Sequence, residues 1–414
     1  MKQCPISLID HDNYSEQAPF ERFAELRRDQ PIFWHEDAEL NEGFWCLTRQ
    51  KEIDFVSKNA DKFSVRTKGI RYIDESPEMA EQRKLIMTFM EPPYHRTYRR
   101  VIDKSFKPKV IEGLLDNISD MAKGIVDQVA GKGQCEFVSE VSRPLPLKVI
   151  CQLLGVHAED ELNIAHWSDI IMAPDDPELA LSLDDYLAAG QSLTDYAKKM
   201  YREQQHNPRD NLSRLIMDSK IEGKAMTEEE FCAFFRVLIV AGNETVRNTT
   251  TSGMRLLIEH PKQLQYLIDN PEKISDAVEE ILRFRLPVLY FRRTSKVDIV
   301  LGGKQIKKGD KIMMWYVSAN QDETHFKDGH LFDVTRPQRE AVRQQHRSFG
   351  VGDHFCLGSH LARLELNVMF KELIPRLQNP KIVSEPRKMR SYLIDAIKEM
   401  HITFDPEIAK IKTS

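Results

Sequence analysis

Cysteine is scarce in this 414-residue chain, long apolar runs are missing, and positive charge is not in excess. The six cysteines, at 4, 46, 135, 151, 232 and 356, form neither a C-x-x-C pair nor a regular framework, which excludes an iron–sulfur ligand set and a disulfide scaffold. Reduced thiols in a cytoplasmic protein are the simplest account. No segment approaches the roughly 20 apolar residues needed to cross a bilayer, and the opening MKQCPISLIDHDNYSEQ has no charged-then-apolar signal pattern. A protein without a membrane anchor is therefore expected. Lys and Arg total 59 against 64 acidic residues, a net charge of −5 that argues against nucleic acid as a partner. A G-x-G-x-x-G fingerprint, internal repeats and a low-complexity linker are all missing. Length alone would make two domains the default expectation.

What is present is concentrated in two places. The first is Phe349-Gly350-Val351-Gly352-Asp353-His354-Phe355-Cys356-Leu357-Gly358, a glycine-punctuated loop leading into the helix-patterned SHLARLELNVMFKEL. The glycines permit positive φ and close approach of a large flat group. Cys356 stands at a helix start, where backbone N–H groups favour a negative sulfur, and His354 and Arg363 are placed to face anionic groups. A lone cysteine there is ordinarily an inert small hydrophobe. A zinc site would have to recruit His346, His354, Cys356 and His360, which leaves the glycines unexplained and matches no usual ligand spacing. The second place is a helix predicted over 228–260, opened by a capping box of Thr227 and Glu230 and stopped at Pro261; it would span about 50 Å. In its middle stand Ala241-Gly242-Asn243-Glu244-Thr245 and then Thr249-Thr250-Thr251, poor helix formers that a sequence tolerates mainly where function demands them.

The pattern F-G-x-G-x-H-x-C-x-G followed by x-x-L-A-R resembles the haem-binding loop of the cytochromes P450, and A-G-N-E-T resembles that family's oxygen-activating motif A-G-x-[DE]-T. The resemblance runs from about residue 30 to the C-terminus. It implies a mainly α fold with small β-sheets, one domain over 1–414, and haem b (iron protoporphyrin IX) between the long central helix and the cysteine-loop helix, with Cys356 as the axial ligand. By motif position His95 and Arg99 on YHRTYRRVIDKSF, Arg293 in FRRTSKVD, and His354 would contact the haem propionates. Phe349, Gly350, Gly358, Ala241 and Gly242 would surround the ring, Gly242 leaving room for dioxygen. The Thr245 hydroxyl would bond back to a carbonyl four residues earlier, and Glu244 and Thr245 would deliver protons. Glu280 and Arg283, with Arg336 of FDVTRPQ, match the family's structural triad. Val246 departs from the commoner A-G-N-E-T-T beside that proton path.

Elsewhere, PIFW (31–34) and GFWCLT (43–48) read as strands around an acidic turn, followed by a helix in KEIDFVSKNADKF. DIVLGGKQIKKGDKIMMWYVSAN reads as further strands with turns at Gly302-Gly303 and Lys308-Gly309-Asp310. Residues 172–190 read as an acidic, proline-marked connection, by resemblance the lid over the substrate entrance. The wall opposite the haem is expected to include Val240, Ala241, Val288, Leu289, Leu393 and Ile394, all aliphatic or small, implying an apolar guest.

The resemblance implies a monomeric monooxygenase that uses dioxygen and two external electrons to hydroxylate an unactivated C–H bond of a hydrophobic molecule. The wording around LIVAGNETVRNTTTSGM is similar to P450 groups acting on terpenoids, steroids and methyl-branched lipids. A ferredoxin, served by a ferredoxin reductase, is the implied donor, and Arg96, Arg100, Lys104, Lys107 and Lys109 would offer it a basic face. The competing reading is a haem-thiolate sensor without turnover, which would need no acid–alcohol pair.

Overall fold

The computed structural model describes residues 7–37, 42–172, 176, 178 and 182–408. The helices that matter for the site are α1 (Gln50–Lys58), α2 (Tyr94–Asp103), α3 (Pro144–Leu154), α4 (Glu161–Met172), α5 (Leu183–His206), α6 (Glu228–Glu259), α7 (Ile274–Phe284) and α8 (Ser359–Arg376). Five strands, β1 (Ile32–Asp37), β2 (Glu42–Leu47), β3 (Phe63–Ser64), β4 (Tyr290–Ser295) and β5 (Lys311–Trp315), form one sheet in the order β1-β2-β5-β4-β3. A three-stranded sheet and three two-stranded hairpins complete the β-structure of the described residues. The result is the expected architecture, mainly helical with small sheets.

The long helix α6 forms where the sequence places it. The Thr227 hydroxyl accepts from Glu230 N at 3.2 Å while the Glu230 carboxylate accepts from Thr227 N at 2.9 Å, and three glutamates in the first turn favour the positive end of the helix dipole. Pro261 does more than stop α6, because it occupies the first turn of the next helix, Pro261–Asp269, where its missing N–H costs nothing. Two glycines let α6 run through the centre of the molecule. A Cβ on Gly253 would lie 2.6 Å from Phe370 of α8 and 2.9 Å from Ile281 of α7. On Gly242 it would lie 3.1 Å from Ile150 of α3.

Local departures from the sequence reading have simple causes. The strand expected to run on through YVSAN ends at Trp315, and Tyr316–Ala319 closes as a helical turn. The helix expected over KEIDFVSKNADKF stops at Lys58, and Phe63–Ser64 joins the sheet edge against β4. The connection read over 172–190 is shorter, because Ser182 caps α5 by accepting from Asp185 N at 3.2 Å, so 183–190 are helical. Residues 173–175, 177 and 179–181 of that connection, and the acidic turn 38–41, lie outside the described residues.

Glu280, Arg283 and Arg336 come together in full burial. Arg283 meets Glu280 through two bonds of 2.7 and 2.8 Å, and Arg336 Nε lies 3.2 Å from the same carboxylate. The spare N–H groups of Arg283 hold the carbonyls of Asn320, Gly329 and Leu331 at 2.7–3.1 Å. Both members of the pair on α7 are 0% exposed, so the few tenths of a kcal/mol of a surface pair do not apply. Arg283→Leu should lower stability by about 3–5 kcal/mol, because it takes one of two guanidiniums from a buried carboxylate and leaves the Asn320 and Gly329 carbonyls without their donor. Urea midpoints of the two proteins, compared at one pH, measure this.

Candidate active site

The cysteine loop is fastened at both ends before α8 begins. Gly350 and Gly352 have φ of +69° and +80°, and a Cβ on Gly352 would lie 2.6 Å from the Ser57 carbonyl at the end of α1. The loop therefore packs backbone to backbone on α1, which explains the glycine there. Cys356 N donates to Phe349 O at 2.8 Å, closing the loop on itself. Upstream, Arg347 grips Asp54 of α1 at 2.6 and 2.8 Å, and Ser348 Oγ donates to Leu282 O of α7 at 2.6 Å. Nothing lies within 4 Å of the position a Gly358 Cβ would take, so that side of the loop can accept a flat group. Burial pushes the Cys356 thiol up, outweighing the Gly358 backbone bond and the more distant Arg99 and Arg363. The Gly358 backbone bond acts in the direction expected of the helix start, against burial.

Across from the loop, α6 carries Thr245, whose hydroxyl donates to Ala241 O at 3.0 Å, the back-bond expected from the sequence. Thr249, Thr250 and Thr251 repeat the device at 2.8–3.0 Å. Ala241 is exposed and Val240 and Thr245 are partly exposed, whereas Asn243, Glu244 and Val246 are buried. Gly242 does not make room for dioxygen through its missing side chain, because that direction is filled by Ile150. It serves the close approach of α6 and α3 instead.

Glu244 sits in a buried ion network that was not foreseen. Its carboxylate pairs with Arg247, which also reaches Asp169 of α4 at 2.8 Å, and Arg143 binds the other Asp169 oxygen at 2.8 Å. The two carboxylates diverge. Asp169 is buried, but two guanidiniums keep its pKa below the ordinary value, whereas burial drives Glu244 well above its own, with Arg247 opposing and the Asp169 charge reinforcing. Glu244 is thus the member that carries a proton.

The remaining expected residues converge from three segments. His95, on α2, is buried with Nδ1 unpartnered; the His354 ring, 4.1 Å away centre to centre, is bonded to the Met90 backbone and leaves Nε2 unpartnered. Burial lowers both, His95 to about 4, so each ring is neutral as it stands and keeps one open nitrogen. Alternation along β4 sends Arg292 to Asp74 at 2.7 Å, while Arg293 donates only to the Arg292 carbonyl and is buried with no ion pair among the described residues. Arg99 lies one turn from His95 but spends its strongest bond on Phe355 O at 2.7 Å, holding the cysteine loop. Arg363 does not face an anionic group of a ligand. It pairs with Glu279 of α7 at 2.6 Å and lies over the Phe349 ring, 4.4 Å from its centre. His346, a member of the rejected zinc set, bonds the same Glu279 at 3.1 Å. Of the expected wall, Val240, Ala241 and Val288 keep exposure. Leu289, Leu393 and Ile394 do not; they pack in the core beside Tyr290 and Trp315, where Leu289 N bonds Leu393 O at 2.8 Å.

Comparison with known proteins decides the family. The Cytochrome P450 family model matches residues 272–391. A steroid C26-monooxygenase of Rhodococcus jostii is 36% identical over 409 residues, covering 96% of this chain and 84% of that protein. The chain is a cytochrome P450. A methyl-branched lipid omega-hydroxylase of Mycobacterium tuberculosis is 35% identical over 92% of the P450 and 90% of its own length. Among solved structures, a Mycobacterium marinum P450 in complex with pseudoionone superposes with a TM-score of 0.89 at 30% identity, covering 98% and 99% of the two chains. A Bacillus megaterium P450 in complex with testosterone gives 0.83 at 29%, covering 94% and 98%. The P450 is a haem-iron monooxygenase, and no helix of its described residues is long and apolar enough to cross a membrane. The orphaned His95 and His354 nitrogens, the unpaired Arg293 and the open side of Gly358 fit a flat dianionic group set against the cysteine loop.

Asp169, Arg247, Arg143 and Glu279 escaped the sequence reading, because each gains meaning only from a partner far along the chain. Glu279 is the most testable. Burial would raise it, but hydrogen bonds and charge from His346 and Arg363 win and hold it at about 2 against an ordinary 4.5. Its folded value lies below the unfolded one, so the stabilisation is complete above pH 4.5 and is lost as pH falls toward 2. That contribution is on the order of 3 kcal/mol. Glu279→Gln should be less stable than the parent near neutrality, and the gap should shrink as pH is lowered through this window; urea midpoints across it give the measurement.

Proposed function

We propose that the P450 hydroxylates an unactivated C–H bond of a steroid, terpenoid or methyl-branched lipid, working as one domain over 1–414 in the cytoplasm with haem b held by Cys356. The relatives' names and the apolar Val240, Ala241 and Val288 support this substrate class. When bound, the haem iron supplies dioxygen chemistry, with a thiolate favouring O–O cleavage.

The chain's own residues position and supply. Arg293, a buried cation with no ion pair among the described residues, and His95 and His354, each with one open ring nitrogen, would hold the propionates, His354 taking up a proton to donate from Nε2, and Arg99 fixes the loop from which His354 projects. Phe349 and Gly350 shape that loop. Thr245 keeps a hydroxyl at the exposed side of α6 by bonding to Ala241 O, so its oxygen can accept a hydrogen bond while its own proton is held in place. Glu244, the adjoining residue, carries a proton that it can give to the site and regain, a state favoured by burial and the Asp169 charge against Arg247. The back-bond of Thr245 beside the proton-bearing Glu244 is the observation that carries the reading.

Thr245→Ala should leave substrate binding intact while product per dioxygen consumed falls about 10²-fold, the lower end of what a positioned proton donor contributes. Electrons should appear as peroxide instead. Fully coupled turnover in the variant would remove the role assigned to Thr245.

Electrons come from a separate carrier, and a ferredoxin with its reductase fits the charge pattern. Arg100, Lys104, Lys107 and Lys109 are exposed after α2 turns toward the cysteine loop, whose Phe355 is 39% exposed. Arg96 is less available, being paired with Asp353 at 2.9 Å. Replacing Arg100→Glu and Lys104→Glu together should slow the first reduction by about tenfold at low salt, and the difference should fade as salt rises. Unchanged stopped-flow reduction kinetics would exclude this face.

A further inference from the structure

We propose that Arg236 anchors a carboxylate at one end of the substrate, so that this P450 prefers amphipathic acids and oxidises them far from the acid group. This rests on the hydroxylase reading above and deepens it. Arg236 is partly buried on α6 and has neither a hydrogen bond nor an ion pair among the described residues, although this chain satisfies its other buried guanidiniums of α6 and α7 fully. Its Nη2 lies 3.3 Å from where a Cβ on Gly190 of α5 would stand, so the glycine makes space for it.

The surroundings are arranged for one anion more than they contain. Arg83 approaches from the segment before α2, but it is committed to Glu75 and to the Tyr186 hydroxyl, with Phe89 and Tyr186 rings 5.2 and 5.8 Å from its guanidinium. Tyr186 accepts from Arg83, which leaves its own O–H free to donate. Arg83 and Glu75 cancel, and Arg236 remains as uncompensated positive charge, lowered by burial and by Arg83. A guanidinium with Tyr186 beside it suits the two oxygens of a carboxylate.

Placement on the helix gives the consequence for chemistry. Arg236 lies one turn before Val240, and nine residues before Thr245, which is about 14 Å along the axis and half a turn round it. Val237, Val240 and Ala241 keep exposure between them. These positions wind half-way round the helix from Arg236 to Thr245, and an acid held at Arg236 would lay its hydrocarbon across them.

The test compares hexadecanoate with methyl hexadecanoate, equal in chain but not in charge, by optical titration of the haem-loaded P450. The parent should bind the acid at least about tenfold more tightly than the ester, Arg236→Leu should abolish that preference by weakening the acid alone, and Arg236→Lys should keep part of it. The carbon-monoxide difference spectrum of each reduced variant shows that thiolate ligation survives. Equal binding of acid and ester by the parent, equal weakening of both in Arg236→Leu, or no response to either overturns the anchor. A neutral steroid that is still hydroxylated would leave the general function standing in those cases, whereas loss of the thiolate spectrum in the parent would defeat the P450 chemistry itself.

Discussion

The buried carboxylate of Glu280 is the point from which the cysteine side of the molecule is built. Two guanidiniums grip it, and their remaining N–H groups hold the carbonyls of Asn320, Lys327, Asp328, Gly329 and Leu331. Asn320 carries the arrangement onward, donating to Ser348 Oγ at 2.8 Å and accepting from Arg347 N at 2.6 Å, immediately before Phe349. A buried ion pair is weak evidence for net stability, since hydrophobic replacements often do as well. Its use here is register. An irregular stretch of about a dozen residues has no ladder or helix to order it, and fixed donors to its carbonyls supply what secondary structure does elsewhere.

The same logic separates what could be read from the sequence from what could not. The helix α6, its capping box, the Thr245 back-bond, the triad and the cysteine loop were legible because each depends on neighbours within a few residues or on a motif with fixed spacing. Glu244 was legible as an acid beside an alcohol, yet its state was not. That state depends on Asp169, 75 positions earlier, and on Arg143 from a third segment. Arg363 was misread for the same reason: a cation after the cysteine looks available until Glu279 arrives from α7. Leu289, Leu393 and Ile394 were assigned to the wall because apolar residues suit both a wall and a core, and only the bridge joining Val288 to Ile394 shows that this strand pair turns most of its side chains inward.

Carboxylates with opposed fates recur around the site. Glu279 is surrounded by donors and stays charged far below its usual range; Glu244 shares one guanidinium with a better-served competitor and takes a proton. The difference follows from counting partners, since both groups are buried. Glu279 has His346 and Arg363, Asp169 has Arg247 and Arg143, and Glu244 has a share of Arg247 and one neutral donor, the Asn243 amide at 3.2 Å. Moving α4 by an ångström or two would change that share, because of the two carboxylates that Arg247 bridges, Asp169 is carried on α4 and Glu244 on α6, each on a different nitrogen of the one guanidinium. The protonation of Glu244 is therefore tied to the position of the helix that leads into the connection before α5.

Two arginines on α6 show how far packing decides function. Arg247 and Arg236 are eleven residues apart, almost three full turns, and so lie on nearly the same side of the helix. Arg247 meets two carboxylates because α4 brings Asp169 and its own helix brings Glu244 within reach. Arg236 meets Gly190 on α5, where the side chain that might have answered it is missing altogether. A charge that folding leaves half-buried and unanswered costs stability unless something outside the chain completes it. Saturating one guanidinium and leaving the other open, on one helix and in one molecule, is the distinction between a residue that holds the structure and a residue that waits for a ligand.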